Sequence, residues 1–329
     1  MLNPTAKLNP KLFDADVEQK PIRDGYGEGL LEVGEDNPNV VVLTADVAES
    51  TRADGFAKKF PERFFECGVA EQGMATIAAG LGISGKIPFI SSYATFSPGR
   101  NWEQIRTTIC YNNSNVKIAG HHAGISVGPD GATHQATEDI AMMRVVPNMK
   151  VIVPCDAIEA RKATVAAAKI WGPVYLRFAR EKTPVITTDE TPFVPGKAMV
   201  LWESKRPQVL IVACGALLYH ALCAAAELEK EKINVTVVNV HTIKPLDEKA
   251  ILEHAARAGA VVTVEEHQIA GGLGGAVAEL LAARLPLPLE QVGLRDTFGE
   301  SGSPAELMEK YGLGVKDIKN AVMKVLKRS

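Results

Sequence analysis

Short apolar, β-branched runs recur along this chain, each followed by a stretch with helical spacing. Val40-Val41-Val42-Leu43, Phe89-Ile90-Ser91-Ser92, Val116-Lys117-Ile118-Ala119, Val151-Ile152-Val153 and Val174-Tyr175-Leu176-Arg177 predict strands. Ile22 to Glu35, Trp102 to Cys110 and Ala157 to Ile170 predict the helices between them. Continuous apolar strands separated by helices imply a parallel sheet covered on both faces. A polar, Pro-punctuated bridge follows, and then the pattern resumes. Val209-Leu210-Ile211-Val212, Val235-Thr236-Val237-Val238 and Ala260-Val261-Val262-Thr263-Val264 predict a second α/β unit, and Lys316 to Ser329 a basic amphipathic end helix, solvated and without a functional role. The predicted fold is thus two doubly wound α/β domains. An arm spans residues 1–20, the first domain 21–186, a linker 187–204 and the second domain 205–329.

Val209 to Ala226 carries no Asp, Glu, Lys or Arg, yet it is no membrane span. A span needs roughly 20 such residues, and here a β-branched strand meets Cys214-Gly215 before the helical Ala/Leu pattern begins. The segment Met1 to Lys20 has Pro, Asn and acidic residues where a signal peptide has its apolar core, so a loose arm is expected.

Composition narrows the class. At 329 residues, 46% apolar and 23% charged, the chain has ample material for two cores. A net charge of -3 gives no reason to expect nucleic acid or an anionic membrane as partner. The five cysteines form no CxxC and no Cys/His pair with zinc spacing, so they read as buried residues of a reducing, cytoplasmic compartment. No metal site is expected on this chain. Gly271-Gly272-Leu273-Gly274-Gly275 satisfies neither GxGxxG nor the P-loop, and close helix–strand packing explains it better.

The chemistry gathers in polar loops after the first-domain strands: Thr44 to Asp54, Tyr93 to Asn101 and Gly120 to His134. Ligands of parallel α/β sheets bind beyond the strand C-terminal ends. Between the first and second of these loops, Cys67-Gly68-Val69-Ala70-Glu71-Gln72-Gly73-Met74 joins the strand-like Arg63-Phe64-Phe65-Glu66 to a small-residue helix, Ala75 to Leu81. Glu71 is thereby set at a strand-to-helix junction on the edge of a core. Taken alone, it would read as a capping or salt-bridged glutamate.

Together, Glu66 to Leu81, Pro88 to Arg106 and Gly120 to Asp139 resemble the pyrimidine-binding domain of transketolase. The form Gly124-x-x-x-Gly-x-Asp-Gly-x-x-His134 is the most specific part. The resemblance runs on through Tyr175 to Arg180, Asn234 to Asp247 and Val262 to His267, so the chain looks like the C-terminal half of a transketolase encoded as a separate subunit. It implies transfer of a two-carbon glycolaldehyde unit from a ketose phosphate to an aldose phosphate, as in the pentose phosphate pathway, with thiamine diphosphate as cofactor. The family's Gly-Asp-Gly…Asn element for Mg²⁺ (or Ca²⁺) and the diphosphate is absent here. An N-terminal-half partner subunit is therefore expected to supply it, in an α2β2 assembly.

By position, the resemblance implies that Glu71 hydrogen-bonds the aminopyrimidine, that Phe96 and Tyr93 form its aromatic pocket, and that Asp46 lies near the thiazolium. His122 and His134 match the family's substrate-contacting histidines and Asp130 its hydroxyl-recognising aspartate, while Arg23, Ser50 and Arg180 match the sugar-phosphate grip. The aromatic segment Thr95 to Asn101 is one residue longer than in single-chain transketolases, which leaves open whether Arg100 approaches the substrate or the diphosphate. His121 reads as structural, and His220, His241, His254 and His267 as surface or interface residues. Competing readings are the β subunit of a 2-oxo-acid dehydrogenase E1 component, a 1-deoxyxylulose-5-phosphate synthase-like enzyme, and a non-catalytic regulatory or structural partner on the same fold.

Overall fold

The structure, a computed structural model, describes residues 1–328. In the N-terminal half the strands are β1 (Gln19–Pro21), β2 (Val40–Thr44), β3 (Phe64–Glu66), β4 (Ile87–Tyr93), β5 (Lys117–His121), β6 (Lys150–Ile152), β7 (Val174–Arg177) and β8 (Lys182–Pro184). The C-terminal half adds β9 (Met199–Trp202), β10 (Val209–Ala213), β11 (Val235–Asn239), β12 (Thr242–Lys244), β13 (Val261–Gln268) and β14 (Leu289–Leu294). Seven strands form one sheet in the order β12-β6-β7-β5-β4-β2-β3, and five form another in the order β14-β13-β10-β11-β9. All neighbours are parallel except β12 on β6 and β9 on β11, both edge strands.

The strands are buried because helices cover both sheet faces. All five residues of β2, Val-Val-Val-Leu-Thr, are inaccessible, which explains why the run shows no polar alternation. The helices Ile22–Asp36 and Ala157–Lys169 pack against each other over one face. Their approach is close enough that a Cβ on Gly25 would lie 1.8 Å from the Ala157 carbonyl oxygen. On the same helix pair, Asp156 caps the second helix by accepting from the Glu159 N–H at 2.8 Å.

Four features depart from the sequence expectation. Strand β9 lies inside the stretch read as linker, so the second domain begins earlier than residue 205. Strand β12 leaves the second domain and pairs with β6 of the first sheet. The N-terminal arm is not loose: the Asn3 N–H donates to the Leu201 carbonyl at 2.8 Å, and Ala6 and Leu12 are buried in the second core. The last helix, Val315–Leu326, is amphipathic as expected but not simply solvated, because Ile318, Val322 and Val325 are buried in that core. Among the described residues, no helix is long and apolar enough to cross a membrane.

Candidate active site

The C-terminal ends of β2, β3, β4, β5 and β7 lie along one edge of the seven-stranded sheet, and apart from Arg23 every expected site residue sits on a loop or short helix leaving that edge, at a helix start, or, for Tyr93, at the last position of β4. Arg23 comes from the first turn of the helix Ile22–Asp36.

Glu71 is the first residue of the helix Glu71–Ile83 and is 3% exposed. Both of its carboxylate oxygens accept from Arg100 Nη1, at 3.0 and 3.1 Å. The same guanidinium lies over the Phe96 ring, 4.1 Å from its centroid. Glu71 and Phe96 thus frame a slot, and a flat hydrogen-bonding group already fills it. Asn101 fixes the slot's floor by donating to the Glu71 carbonyl and to Ser97 Oγ.

Asp46 stands at the rim, exposed and in the left-handed backbone region (φ 60°). Its conformation is held by Glu66, whose Oε1 accepts from the Asp46 and Gly68 N–H groups at 2.8 Å each, and whose Oε2 accepts from Thr44 Oγ1 at 2.6 Å. Sequence reasoning gave Glu66 no role.

Next to the slot the rings form a continuous wall. Tyr93 stacks on His122 with centroids 4.1 Å apart, and Phe96 meets His134 edge-on at 5.5 Å. Beyond Tyr93 opens a cavity of about 280 Å³ lined by Arg23, Glu49, Ser50, Arg52, Tyr93, His122, Asp130 and Arg180. Six of the expected residues therefore meet in one hollow, with His134 joined to them through the aromatic wall. Arg52, which carried no signal beyond its place two residues after Ser50, adds a third guanidinium. A larger cavity of about 700 Å³, between Ser126, His220 and Pro304, contains none of these groups except a flank of the Ser126 loop.

The electrostatics favour an anion. Burial and the neighbouring Arg52 push Arg23 below the usual arginine value, partly offset by Asp24. Arg23 Nη1 donates to the Ser50 carbonyl at 2.9 Å and to His122 Nε2 at 2.8 Å. Since arginine can only donate, Nε2 accepts, and the ring proton sits on Nδ1, which has no protein partner. Arg180 donates to the Val127 carbonyl at 2.7 Å and lies 3.4 Å from Asp130 Oδ1.

Burial, reinforced by Arg23 and Arg180, lowers His122 to about 3. The unfolded ring takes up a proton near 6.5. Between these values the unfolded chain binds more protons, so this residue's contribution to stability is complete above pH 6.5 and declines as the pH falls. At pH 5 the loss amounts to about 2 kcal/mol. Urea unfolding of wild type and His122→Gln at pH 7.5 and pH 5 should therefore show a smaller acid loss in the variant; equal losses would contradict the shift.

The remaining histidines divide. His121 is buried between Tyr26 and Phe178 with neither nitrogen bonded, in keeping with a structural role. His241 and His267 are core residues, not surface ones. They are 1% and 0% exposed, and their Nδ1 atoms bond Thr242 Oγ1 and the Gln268 carbonyl.

The family model for the transketolase pyrimidine-binding domain matches residues 18–185, and that for the transketolase C-terminal domain matches residues 196–318. The chain is 45% identical over 312 residues to the "Putative transketolase C-terminal section" of Methanocaldococcus jannaschii, covering 94% of this chain and 97% of that one. It is 40% identical to the 6-deoxy-6-sulfo-D-fructose transketolase subunit SqwH of a Clostridium species, over 96% of this chain and 98% of that one. Among solved structures, a split gene transketolase described as an inactive beta4 tetramer superposes with a TM-score of 0.87 at 48% identity, covering 93% of this chain and 98% of that chain. The chain therefore belongs to the thiamine-diphosphate-dependent transketolase family, of which it carries the pyrimidine-binding and C-terminal domains.

Proposed function

We propose that this chain is the C-terminal subunit of a split transketolase, moving a two-carbon glycolaldehyde unit from a ketose phosphate to an aldose phosphate. The observation that carries this reading is the cavity in which Arg23, Arg52 and Arg180 converge with Ser50, His122 and Asp130, beside the Glu71–Phe96 slot. Guanidinium groups pair bidentately with phosphate. A 2-oxo-acid substrate would offer these guanidinium groups a single carboxylate, whereas a sugar phosphate offers a dianion to Arg23 and Arg180 while Arg52 stays paired with Asp24.

The slot fits an aminopyrimidine. A planar group already stacks on Phe96 and bonds both oxygens of Glu71, and these are the two contacts such a ring would use. Glu71 would hold the ring nitrogen, Phe96 and Tyr93 would fix its plane, and Asp46 would lie toward the thiazolium. Thiamine diphosphate supplies a nucleophilic carbon for cleaving the bond beside a ketose carbonyl. His122, kept neutral and lining the same hollow, would contact a sugar oxygen, and His134 would approach it from across Phe96. Asp130 would read a hydroxyl, while Arg23, Ser50 and Arg180 would grip the phosphate end.

The diphosphate and its Mg²⁺ (or Ca²⁺) fall to an N-terminal-half partner, in an α2β2 assembly. Support comes from the relatives' names and from exposed apolar side chains around Glu71, namely Phe65 on β3, Val69 in the turn before the helix, and Ile77 and Ile83 on it, which ask for a covering subunit. Mixing the chain with an N-terminal-half transketolase subunit, thiamine diphosphate and Mg²⁺ should yield transfer between phosphorylated sugars, with none from either chain alone. Turnover of 2-oxo acids in place of sugars, or full activity without the partner, would overturn the reading.

A further inference from the structure

The loop Ile125–Asp130 and the stretch to His134 carry Asp130 and His134, and the Val127 carbonyl of that loop aims Arg180. What holds the loop from beneath belongs largely to the other domain. Glu266, on β13, is 3% exposed, and its Oε1 accepts from the Ser126 N–H at 2.6 Å. Gly124 enters the loop at φ 88°, and a Cβ there would lie 2.3 Å from that same oxygen, so glycine alone lets the carboxylate reach under the turn. Gln135 Nε2 ties the two domains again, donating to the Ile125 and Gly128 carbonyls of the loop and to the Glu300 carbonyl of the second domain.

We infer that Glu266 is a positioning residue for the substrate loop, so that the second domain sets the geometry of Asp130, His134 and Arg180. The inference rests on the phosphate-grip reading of Arg180 given above. Glu266 touches no substrate itself. It acts through a backbone N–H, and a carboxylate is an apt acceptor because a charge-assisted bond to a buried amide is short and strong. Loss of the acceptor leaves the Ser126 N–H buried and unsatisfied, which favours a displaced loop. Displacement by even about 1 Å would spoil three substrate contacts together, while the Glu71–Phe96 slot, tied by Asn101 to Glu71 and Ser97, loses only its edge contact with His134.

The test uses the assembled two-subunit enzyme and a volume-matched pair of variants. Glu266→Met removes the acceptor, whereas Glu266→Gln keeps one. Glu266→Met should raise KM for the phosphorylated sugar by about tenfold or more, with an unchanged Kd for thiamine diphosphate, and Glu266→Gln should restore KM to within a few-fold of wild type. Arg180→Ala sets the scale. If Arg180→Ala leaves KM unchanged, the phosphate-grip reading falls. If it raises KM while Glu266→Met does not, or if both Glu266 variants raise it equally, the positioning role falls and the grip stands. A parallel rise in cofactor Kd and KM would likewise overturn the role, since it would mark general damage. Should Glu266→Met fail to fold, hydrogen exchange on the wild-type chain decides: the Ser126 amide should be protected at the level of the β13 amides, and exchange as fast as in exposed loops would contradict the inference.

Discussion

Replacing Glu71 by alanine should lower kcat of the reconstituted enzyme by about 10²- to 10⁴-fold, the range carried by a positioned proton-transfer group, while leaving the fold intact. The two halves of that expectation rest on different observations. Activity should depend on Glu71 because its carboxylate is the acidic group of the proposed slot, buried at a helix start and bonded to Arg100. Stability does not, because its ion-pair partner Arg100 is half exposed. Removing the glutamate strands no buried charge, because the half-exposed Arg100 can turn to water. Turnover and thermal melting of Glu71→Ala should therefore separate. Near-normal kcat would remove the catalytic assignment, and a collapsed fold would mean the residue is chiefly structural.

Asp139→Ala should do the reverse, costing about 3–5 kcal/mol of stability, as expected when one partner of a buried pair is lost. Asp139 Oδ2 accepts from Tyr175 Oη at 2.7 Å and from Arg177 Nε at 2.8 Å, and neither charged side chain is more than 5% exposed. Burial pulls the Arg177 pKa down, but the charges of Asp139 and Glu266 more than offset this and hold it above the usual arginine value. Arg177 also donates to the Glu266 carbonyl at 2.9 Å, so the pair fastens the two domains together. Without Asp139 the guanidinium stays buried and unpaired. Replacing both partners, as Asp139→Leu with Arg177→Met, should cost less than the single change, because no charge is then left behind. Urea unfolding of the three proteins checks this. A single variant within about 1 kcal/mol of wild type would show that the network does not contribute to stability as described.

Much of the fold could be read from local pattern. The run Val40 to Leu43 announces a doubly covered strand, and Glu71 announces a strand-to-helix turn. The loops bearing His122, Asp130 and Arg180 follow predicted strands, which places them on one sheet edge before any coordinates are known. The features that escaped depend on long-range partners. Strand β12 is three residues with no apolar run, and only its pairing with β6 makes it a strand. The N-terminal arm is polar in composition, yet Ala6 and Leu12 find a core assembled some 200 residues later. Residue type alone places His241 and His267 at the surface or an interface, whereas the strand-rich core buries them. Glu266 lay within a segment noted for its resemblance, but its partner Ser126 is 140 residues upstream, and no spacing rule joins them. The role of Arg100 stays open in the sequence because one extra residue blurs the register of its loop. Its position over Phe96 follows from the turn and not from the pattern.

The central claim is that this chain builds the half-site that seats a thiamine pyrimidine, completed by a second subunit. A crystal structure of the reconstituted complex with thiamine diphosphate tests it most directly. The Glu71 carboxylate should lie within about 3 Å of the pyrimidine ring nitrogen, with that ring stacked on Phe96, Arg100 displaced, and the diphosphate held by the partner. A Glu71 side chain still paired with Arg100 or facing solvent, with the cofactor bound elsewhere, would contradict it.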